Sequence, residues 1–393
     1  MTHRRIVLTG GPCGGKTTAM SRIAERLENL GFRVFMVPET PTMLFQGGFS
    51  LHDVTPAQIV ELETVLLTTV MNTEDSFRRI ASVYANPDTV FLCDRGMMDT
   101  KAYVSAEMWQ TILSNLGHTE VQLRDQRYDA VIHMVTAAIG AEEHYTLANN
   151  TARTETPEQA RDLDRKTQDA WVGHPHLRVV DNSSDFDDKV REAIAAVCNV
   201  VGIPEPQENE RKFLVTSVDE IPVKNVTVDI EQVYLTTEGS PPGLPLAVEE
   251  RVRKRGRDGS FVYTHTTKRR QGPGSAAELD RMITPAEHLM ALERRDPLCA
   301  TIRKKRTCFI WEGRYFELDT YLDWRRGKHA DGEPLCVLEL EVDAESLDAT
   351  IPLPPFVKIE REVTGENGFS NRELAQSLAS SQLWGSRLGL TLP

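Results

Sequence analysis

The stretch GGPCGGKTT, residues 10–18, constrains the fold of this chain more than any other feature. It fits the pattern G-x-x-x-x-G-K-[ST] and stands between a β-rich run, RIVLTG, and a helical run, TTAMSRIAERLENLG. Glycines let the backbone wrap so that its N–H groups face phosphate oxygens; the lysine reaches the β- and γ-phosphates and the first threonine binds Mg²⁺. The alternative is a glycine-rich turn that matches by accident. The residues predicted to bind nucleotide are Gly10, Gly11, Pro12, Cys13, Gly14, Gly15, Lys16, Thr17 and Thr18.

The first 200 residues alternate strand-like and helical runs. After RIVLTG the strand candidates are FRVFMVPE, TVFLCDR, AVIHMVT and LRVVDN. Such alternation predicts an α/β domain with a mainly parallel sheet, here of the P-loop NTPase kind. A chain of 393 residues exceeds one ordinary core. The Pro- and Glu-rich segment IPEPQENE resembles a linker, so the predicted domains are residues 1–202 and 203–393.

Net charge, apolar runs and cysteine spacing limit the kinds of partner and environment that suit this chain. The net charge of −13 is unsuited to a general nucleic-acid binder, which needs a basic surface. No run approaches the ~18 apolar residues of a membrane-spanning helix. The six cysteines include no CxxC pair, which argues against a disulfide framework or a zinc site. These features predict a cytoplasmic protein with no nucleic-acid partner and no transmembrane segment.

Charged residues follow the second and third strand candidates. Asp94 ends TVFLCD and is predicted to hold Mg²⁺, while Arg95 beside it is placed to contact phosphate or substrate. Glu39 in VPET lies where α/β sheets bind ligands, and is predicted to orient or deprotonate an acceptor hydroxyl. The alternatives are a strand-end cap for Asp94 and a solvated loop carboxylate for Glu39.

A helical segment further along, ARTETPEQARDLDRK, carries Arg153, Arg161 and Arg165. Arginines on a helix that folds over the site can neutralise the charge that develops during phosphoryl transfer. The catalytic prediction includes Arg153 and Arg161 with Lys16, Asp94, Arg95 and Glu39. The alternative is a charged helix exposed to solvent.

Taken together, GGPCGGKTT, VPET, DRG and the arginine-bearing lid resemble the P-loop kinase type of bacterial nicotinamide-riboside kinase and, more distantly, of deoxynucleoside kinases. The resemblance implies a Walker A loop, Glu39 as a base, Asp94 on Mg²⁺ (or Mn²⁺) and lid arginines.

Beyond residue 205, strand-like runs with alternating charges dominate, as in RVRKRG, TIRKKR, FELDTY and LELEV. Charges on the inward phase of strands predict a barrel with a wet, charged interior, because burying them without a function is costly. The alternatives are solvated strand edges or nucleic-acid patches. The residues predicted to hold phosphate are Lys212, Arg251, Arg253, Lys268, Lys304, Arg306 and Lys358, with Arg303 and Lys305 replacing the 304/306 pair in the other register. The residues predicted to hold metal are Glu208, Glu210, Asp319, Glu339 and Glu341, and Glu317 alternates with Asp319.

This half resembles the CYTH family of triphosphate-tunnel proteins through ExExK at 208–212, the arginine pair, TTK, ELDTY and LELEV, in that order. The family implies an α+β domain with an antiparallel, eight-stranded tunnel barrel that binds or hydrolyses triphosphates with a divalent metal. The two-domain order resembles the TRPL translocation defect protein family, which implies binding of nucleotides, GTP included, and of phosphoinositides.

Two functions follow as hypotheses. The first is a Mg²⁺-dependent phosphotransferase or NTPase that uses ATP or GTP and is joined to a polyphosphate-binding tunnel or triphosphatase. The second is a non-catalytic, nucleotide-regulated protein that binds phosphoinositide or polyphosphate in trafficking or signalling. The intact set Lys16, Thr17, Asp94 and Glu39 favours the enzyme, whereas the family resemblance favours the switch.

Overall fold

The structure is a computed structural model that describes residues 3–49, 54–84, 88–145, 155–203, 210–236, 248–272, 275–325, 333–342 and 351–387. The chain divides into two compact units, Met1–Ile203 and Pro204–Pro393. Each unit has its own sheet.

The N-terminal unit contains a parallel sheet, as the strand–helix alternation predicted. Its strands are β1 (His3–Thr9), β2 (Arg33–Val37), β3 (Thr89–Asp94), β4 (Ala130–Met134) and β5 (Leu177–Val180). They lie in the order β2-β3-β1-β4-β5, and the neighbouring strands are parallel. β1, β3 and β4 are almost wholly buried, as expected for strands covered by helices on both faces.

Six helices accompany this sheet in the part of the chain that is described. They are α1 (Lys16–Asn29), α2 (Thr40–Gln46), α3 (Ile59–Ala81), α4 (Ala106–Leu116), α5 (Pro157–Trp171) and α6 (Phe186–Val201). α1 and α6 pack on one face, where Ile23, Leu27, Val190 and Val197 meet Ile6 and Ile132 of the strands. No helix within the described ranges combines the length and apolar character needed to cross a membrane.

The strand order places the phosphate loop at the centre of the sheet. β1 pairs with β3 on one side and with β4 on the other; the connection after β1 runs to β2 on the first side, whereas the connection after β3 crosses to β4 on the second. Ligands bind outside the carboxyl ends of strands at such a switch point. Leu8 near the end of β1 pairs in register with Asp94 at the end of β3. Residues 10–18 and 94–95 are therefore neighbours.

The C-terminal unit contains an antiparallel sheet of nine strands among its described residues, in the order β10-β9-β8-β7-β11-β12-β13-β6-β14. The resemblance to the CYTH family implies eight strands, and the additional one is β10 (Ser275–Ile283), whose sequence SAAELDRMI contains a single β-branched residue, Ile283. Closure of the sheet into a barrel remains a prediction. The other strands are β6 (Glu210–Val218), β7 (Asn225–Leu235), β8 (Val248–Arg257), β9 (Ser260–Gly272), β11 (Ile302–Trp311), β12 (Arg314–Arg325), β13 (Pro334–Glu341) and β14 (Val357–Glu362).

The two faces of this sheet differ in chemistry. One face carries an apolar core that includes Phe213, Phe309, Phe316 and Leu338 and is covered by residues 351–357. Because side chains alternate along a strand, the neighbouring residues Lys212, Cys308, Glu317 and Glu339 point to the other face. That second face, called here the charged face, is defined by Glu210, Lys212, Arg251, Arg253, Arg255, Lys268, Lys304, Arg306, Glu317, Asp319, Glu339 and Glu341.

Two further helices belong to this unit, α7 (Pro285–Leu292) and α8 (Asn371–Arg387). α8 begins beside one end of the charged face. The Asn371 side-chain oxygen accepts hydrogen bonds from Tyr321 Oη at 2.8 Å and from Lys304 Nζ at 3.4 Å. Leu374 and Ala375 pack there against Tyr234 and Val337.

Candidate functional site

The glycines of the phosphate loop are required by close packing against β4. Gly10 has φ 135° and Gly15 has φ 84°, conformations that other residues rarely adopt. A Cβ atom at Gly10 would lie 2.0 Å from the Met134 carbonyl oxygen, and one at Gly14 would lie 2.6 Å from the same atom. The loop therefore turns tightly over the end of β4.

The N-terminus of α1 is left open for a ligand. α4, α5 and α6 are capped by Ser105, Thr156 and Asp185, whose side chains accept hydrogen bonds from the first turn. The N-cap position of α1 is Gly15, which offers no side-chain cap, and no acidic residue lies in the first turn. Its first N–H groups and the positive end of its dipole are therefore available to an anion.

Lys16 lies across the loop. Its Nζ donates hydrogen bonds to the carbonyl oxygens of Gly10 and Gly11, both at 3.0 Å. Burial and the nearby Arg95 guanidinium lower the pKa of Lys16 to about 8. A phosphate group at the loop would stabilise the ammonium form and replace the two carbonyls as its partner.

Thr17 and Asp94 line the cavity beside the loop and supply oxygen atoms of the kind that Mg²⁺ prefers. Burial raises the pKa of Asp94, with Glu39 and Asp99 adding to the effect and Lys16 opposing it. A cation would relieve this unfavourable concentration of carboxylates. No group of three or more His, Cys, Asp or Glu side chains in the described segments is arranged to hold a metal. The donor set thus fits a Mg²⁺ ion held by one or two protein ligands, phosphate oxygens and water.

Glu39 and Arg95 form an ion pair at the cavity wall. Arg95 Nε donates to Glu39 Oε1 at 2.6 Å, and Thr42 Oγ1 donates to Glu39 Oε2 at 2.5 Å. Burial alone would raise the pKa of Glu39, but Arg95 and Thr42 hold it below its ordinary value. Glu39 is thus an ionised carboxylate with both oxygens engaged, which suits it to orient Arg95 better than to accept a proton. Arg95 itself has φ 66°, a strained conformation for a non-glycine residue.

The cavity extends well beyond the phosphate loop. Its volume is about 1760 Å³, above the roughly 300–1,000 Å³ typical of a site for one ligand. The far wall comes from α2 and α3 and includes Phe45, Leu66 and Leu67. Glu63 also lines it, and burial raises the pKa of Glu63 to about 6. The sequence prediction missed these residues, since nothing in α3 distinguishes Glu63 from other helix carboxylates.

Of the predicted lid arginines, Arg161 lies beside the cavity and Arg165 is exposed to solvent. Arg161 Nε donates to the Ala138 carbonyl oxygen at 2.6 Å, next to cavity residue Ala137. The Arg165 side chain is 69% exposed and pairs with Asp162 on its own helix, so it is not brought to the cavity. Arg153 lies outside the described residues.

A second layer of residues behind the loop was also missed. Lys189 Nζ donates to the Val135 carbonyl and to the Asn182 side-chain oxygen, both at 2.6 Å. Asn182 Nδ2 in turn donates to the carbonyls of Thr136 and Ile139. This network fixes residues 135–139 at the cavity edge. Phe186, 46% exposed, places its ring where a Cβ on Gly15 would lie.

In the C-terminal unit, the burial of the side chains of TIRKKR shows which of them point to the charged face. Lys304 is 1% exposed and Arg306 is 8% exposed. Arg303 and Lys305 lie on the opposite phase, and their side chains are 62% and 58% exposed. The register that places Lys304 and Arg306 together on the inner phase is the observed one.

On this face, predicted metal ligands pair with predicted phosphate ligands. Glu339 accepts from Lys212 Nζ at 2.8 Å and from Arg306 Nη2 at 2.6 Å. Asp319 pairs with Lys304 and Arg306, Glu317 pairs with Arg306, and Glu210 pairs with Lys212. Much of the charge on β6, β11, β12 and β13 is therefore neutralised within the protein.

β8, two strands away from β11 in the sheet, carries a row of arginines on the same phase. Arg251, Arg253 and Arg255 share one phase, and Arg253 contacts the Gln232 side-chain oxygen at 3.3 Å. Arg251 and Arg255 are buried to 6% and 4% exposure. Lys268 on β9 lies in register with Glu249 of β8. Arg255 was not predicted, although its alternation with Arg251 and Arg253 in RVRKR was a usable signal.

One predicted residue, Lys358, departs from this arrangement, and Glu341 lies at its edge. The prediction for Lys358 is corrected: its side chain is 54% exposed and contacts Asp219 and the Pro355 carbonyl, away from the other basic residues. Glu341 is exposed at the end of β13, in register with Glu210. Glu208 lies outside the described residues.

The matching family model covers most of the N-terminal unit. The model of an AAA domain matches residues 5–189. No curated protein matches the chain. The crystal structure of the hypothetical protein NE1496 is 27% identical, covering 43% of this chain and 97% of its own, with a TM-score of 0.29. The PH1819 protein from Pyrococcus horikoshii OT3 is 15% identical, covering 36% and 81%, with a TM-score of 0.27. With the matched domain, the loop and the parallel sheet, the N-terminal unit is a P-loop nucleotide-binding domain of NTPase- or kinase-like type.

Proposed function

We propose that the N-terminal unit is a Mg²⁺-dependent phosphotransferase that takes its phosphoryl group from ATP or GTP. The observation that carries the proposal is the two-part cavity, in which the phosphate loop and Asp94 form one part and an apolar, acidic wall forms the other. A pure NTPase needs room for nucleotide and water alone, whereas a kinase needs room for an acceptor.

Each side chain has a role that its geometry supports. The loop N–H groups and Lys16 hold the β- and γ-phosphates, and Thr17 and Asp94 would hold Mg²⁺ (or Mn²⁺), which would neutralise charge on the phosphate oxygens. Arg95, held by Glu39, is placed beside Lys16 to stabilise the moving phosphoryl group. Arg161 supports the loop at Ala138 next to the nucleotide.

The acceptor would bind between α2 and α3. Phe45 and Phe49 stack with ring centroids 5.7 Å apart and line the cavity with Glu63. An aromatic surface beside carboxylates suits a small ring compound with hydroxyl groups, such as a nucleoside.

A multiple-turnover assay with ATP and GTP, with and without a panel of nucleosides, tests this proposal. We expect acceptor-dependent release of ADP or GDP. Glu39→Gln should slow transfer by about 10²-fold, because it loosens Arg95, and should leave nucleotide affinity nearly unchanged. Thr111→Val, an exposed change on α4, serves as a control. Acceptor-independent turnover, or unchanged transfer in Glu39→Gln, would contradict the kinase assignment.

For the C-terminal unit we propose a polyphosphate-binding tunnel of the CYTH kind, so that the whole chain resembles the TRPL translocation defect protein family. The support is the charged face, where seven basic side chains share one phase of β6, β8, β9 and β11. Ligand phosphates would bind at the β8 arginines and would compete with Glu339 for Lys212 and Arg306.

This competition makes binding dependent on a cation. When phosphate takes Lys212 and Arg306, Glu339 and its neighbours lose their partners in a buried setting. Unpaired buried carboxylates are costly, and a divalent ion that bridges them to the phosphates would remove that cost. We therefore expect Mg²⁺ or Mn²⁺ and polyphosphate to bind together, with triphosphate hydrolysis as an activity to be tested.

Calorimetry of the full chain with tripolyphosphate, with Mg²⁺ or with chelator, tests the tunnel. Lys212→Ala combined with Arg253→Ala should abolish binding, whereas Glu339→Gln with Glu341→Gln should remove its metal dependence. Phosphoinositide vesicles form a second arm that separates a lipid headgroup from free polyphosphate. Binding of duplex DNA with a steep salt dependence, and none of tripolyphosphate, would overturn the tunnel.

The alternative hypothesis, a nucleotide-regulated binding protein, predicts different results in these assays. Nucleotide would bind at Lys16 without turnover, and vesicle binding would change with the nucleotide state. The same turnover and vesicle assays therefore discriminate the two hypotheses.

A further inference from the structure

A buried carboxylate on α5 contacts the phosphate loop from behind. Asp164 is 2% exposed. Its Oδ1 accepts hydrogen bonds from the backbone N–H of Gly11 at 2.7 Å and of Thr136 at 3.0 Å. Its Oδ2 lies 3.2 Å from His133 Nε2. Burial alone would raise the pKa of Asp164, but His133 and the two N–H donors hold it below its ordinary value, so the group is ionised.

The Gly11 N–H belongs to the same peptide unit as the Gly10 carbonyl. A trans peptide is planar, and its N–H and C=O point in opposite directions. The N–H end is held by Asp164, and the carbonyl end accepts from Lys16 Nζ at 3.0 Å. One carboxylate therefore fixes the plane of the peptide on which Lys16 rests.

The glycine at position 11 is explained by the same contact. A Cβ atom there would lie 2.7 Å from Asp164 Oδ1 and 2.8 Å from Asp164 Cβ. The motif G-x-x-x-x-G-K-[ST] leaves position 11 free, so the requirement for glycine comes from α5 and not from the phosphates.

We propose that Asp164 is a positioning residue that sets the place of Lys16 through the Gly10–Gly11 peptide. The inference rests on the proposed nucleotide site. α5 also carries Arg161, which donates a hydrogen bond to the Ala138 carbonyl oxygen in the segment after β4. Without Asp164 the peptide is free to rotate, and Lys16 loses a fixed carbonyl on the loop.

A double-mutant cycle on the full chain tests this, with ATP affinity measured by calorimetry. Asp164→Ala should weaken binding about tenfold, and Asp164→Asn, which retains Oδ1 as an acceptor, should stay within about threefold. In the Lys16→Ala background, Asp164→Ala should change affinity by less than about twofold. The matched control is Thr167→Val, a buried residue on α5 whose hydroxyl has no hydrogen-bond partner among the described residues.

The outcomes separate the two proposals. If the wild-type chain binds no nucleotide, the proposed function fails and this inference fails with it. If the wild type binds but the two substitutions are additive, Asp164 acts through general structure and the inference alone is overturned. Should Asp164→Ala not fold, amide exchange of Gly11 decides: slow exchange in the wild type with a shifted amide resonance in Asp164→Asn supports the contact, and fast exchange in the wild type overturns it.

Discussion

The two units prepare for anions in opposite ways. The phosphate loop uses backbone N–H groups at an uncapped helix, with Lys16 resting on neutral carbonyls. The charged face uses side chains, and its acids and bases already pair with one another. A backbone site is ready before the ligand arrives, whereas a side-chain site buried in a sheet must be neutral when empty. We therefore expect an anion to bind directly at the phosphate loop. At the charged face, an anion must displace acidic side chains from their basic partners.

The largest expected effect tests whether the charged face depends on its internal pairs. Arg306→Met leaves Glu317, Asp319 and Glu339 without a shared partner. We expect the free energy of unfolding of the C-terminal unit to fall by about 3–5 kcal/mol. Hydrogen exchange of peptides from residues 210–362 localises the loss. Arg303→Met, one position away and exposed, is the control, and an equal loss there would contradict the pairing.

The next effect tests the loop. Lys16→Ala removes the ammonium group aimed at the β- and γ-phosphates, and should weaken ATP or GTP binding by roughly 10²-fold without loss of stability. Lys166→Ala on the exposed side of α5 should leave calorimetric affinity unchanged. Equal affinity in wild type and Lys16→Ala would refute the assignment of the loop.

A smaller effect concerns the pH dependence of the stability of the C-terminal unit. Burial alone would raise the pKa of Glu339, but Lys212, Lys304 and Arg306 hold it well below its ordinary 4.5. A carboxyl with a lowered folded pKa contributes stability that is complete above the unfolded pKa and is lost as the pH falls below it. The free energy of unfolding of the C-terminal unit, measured in urea, should therefore fall below about pH 4.5. Glu339→Gln should make this pH dependence less steep. An unchanged acid slope in the variant would show that other groups carry it.

The smallest effect concerns Lys358, which the sequence pattern grouped with the phosphate ligands. Because its side chain is exposed and pairs with Asp219, Lys358→Ala should alter tripolyphosphate affinity by less than about twofold, since an exposed ion pair contributes little. Arg253→Ala should lower the same affinity about tenfold. Similar losses in both variants would place the polyphosphate on a different surface.

Much of this architecture can be predicted from local patterns in the sequence. The loop, its flanking strand and helix, and Asp94 at the end of β3 are encoded in contiguous residues whose chemistry is fixed by spacing. The shared phase of Lys212, Arg251, Arg253, Arg306 and Glu339 followed from the two-residue period of strands. β10 escaped prediction because an edge strand pairs with one neighbour and needs little β propensity of its own.

Tertiary structure alone decided which partner each charge has. Nothing in the pattern shows that Glu39 is bound by Arg95, 56 positions away, or that Glu339 is shared by Lys212 and Arg306. Gly11 and Asp164 are separated by 153 positions, and their contact depends on how closely α5 packs on the loop. Periodicity determines which side chains of one strand share a face, because that is a property of the local backbone. Its partner, burial and pKa are set by distant segments, because electrostatic energy depends on distance in space and on the loss of solvent.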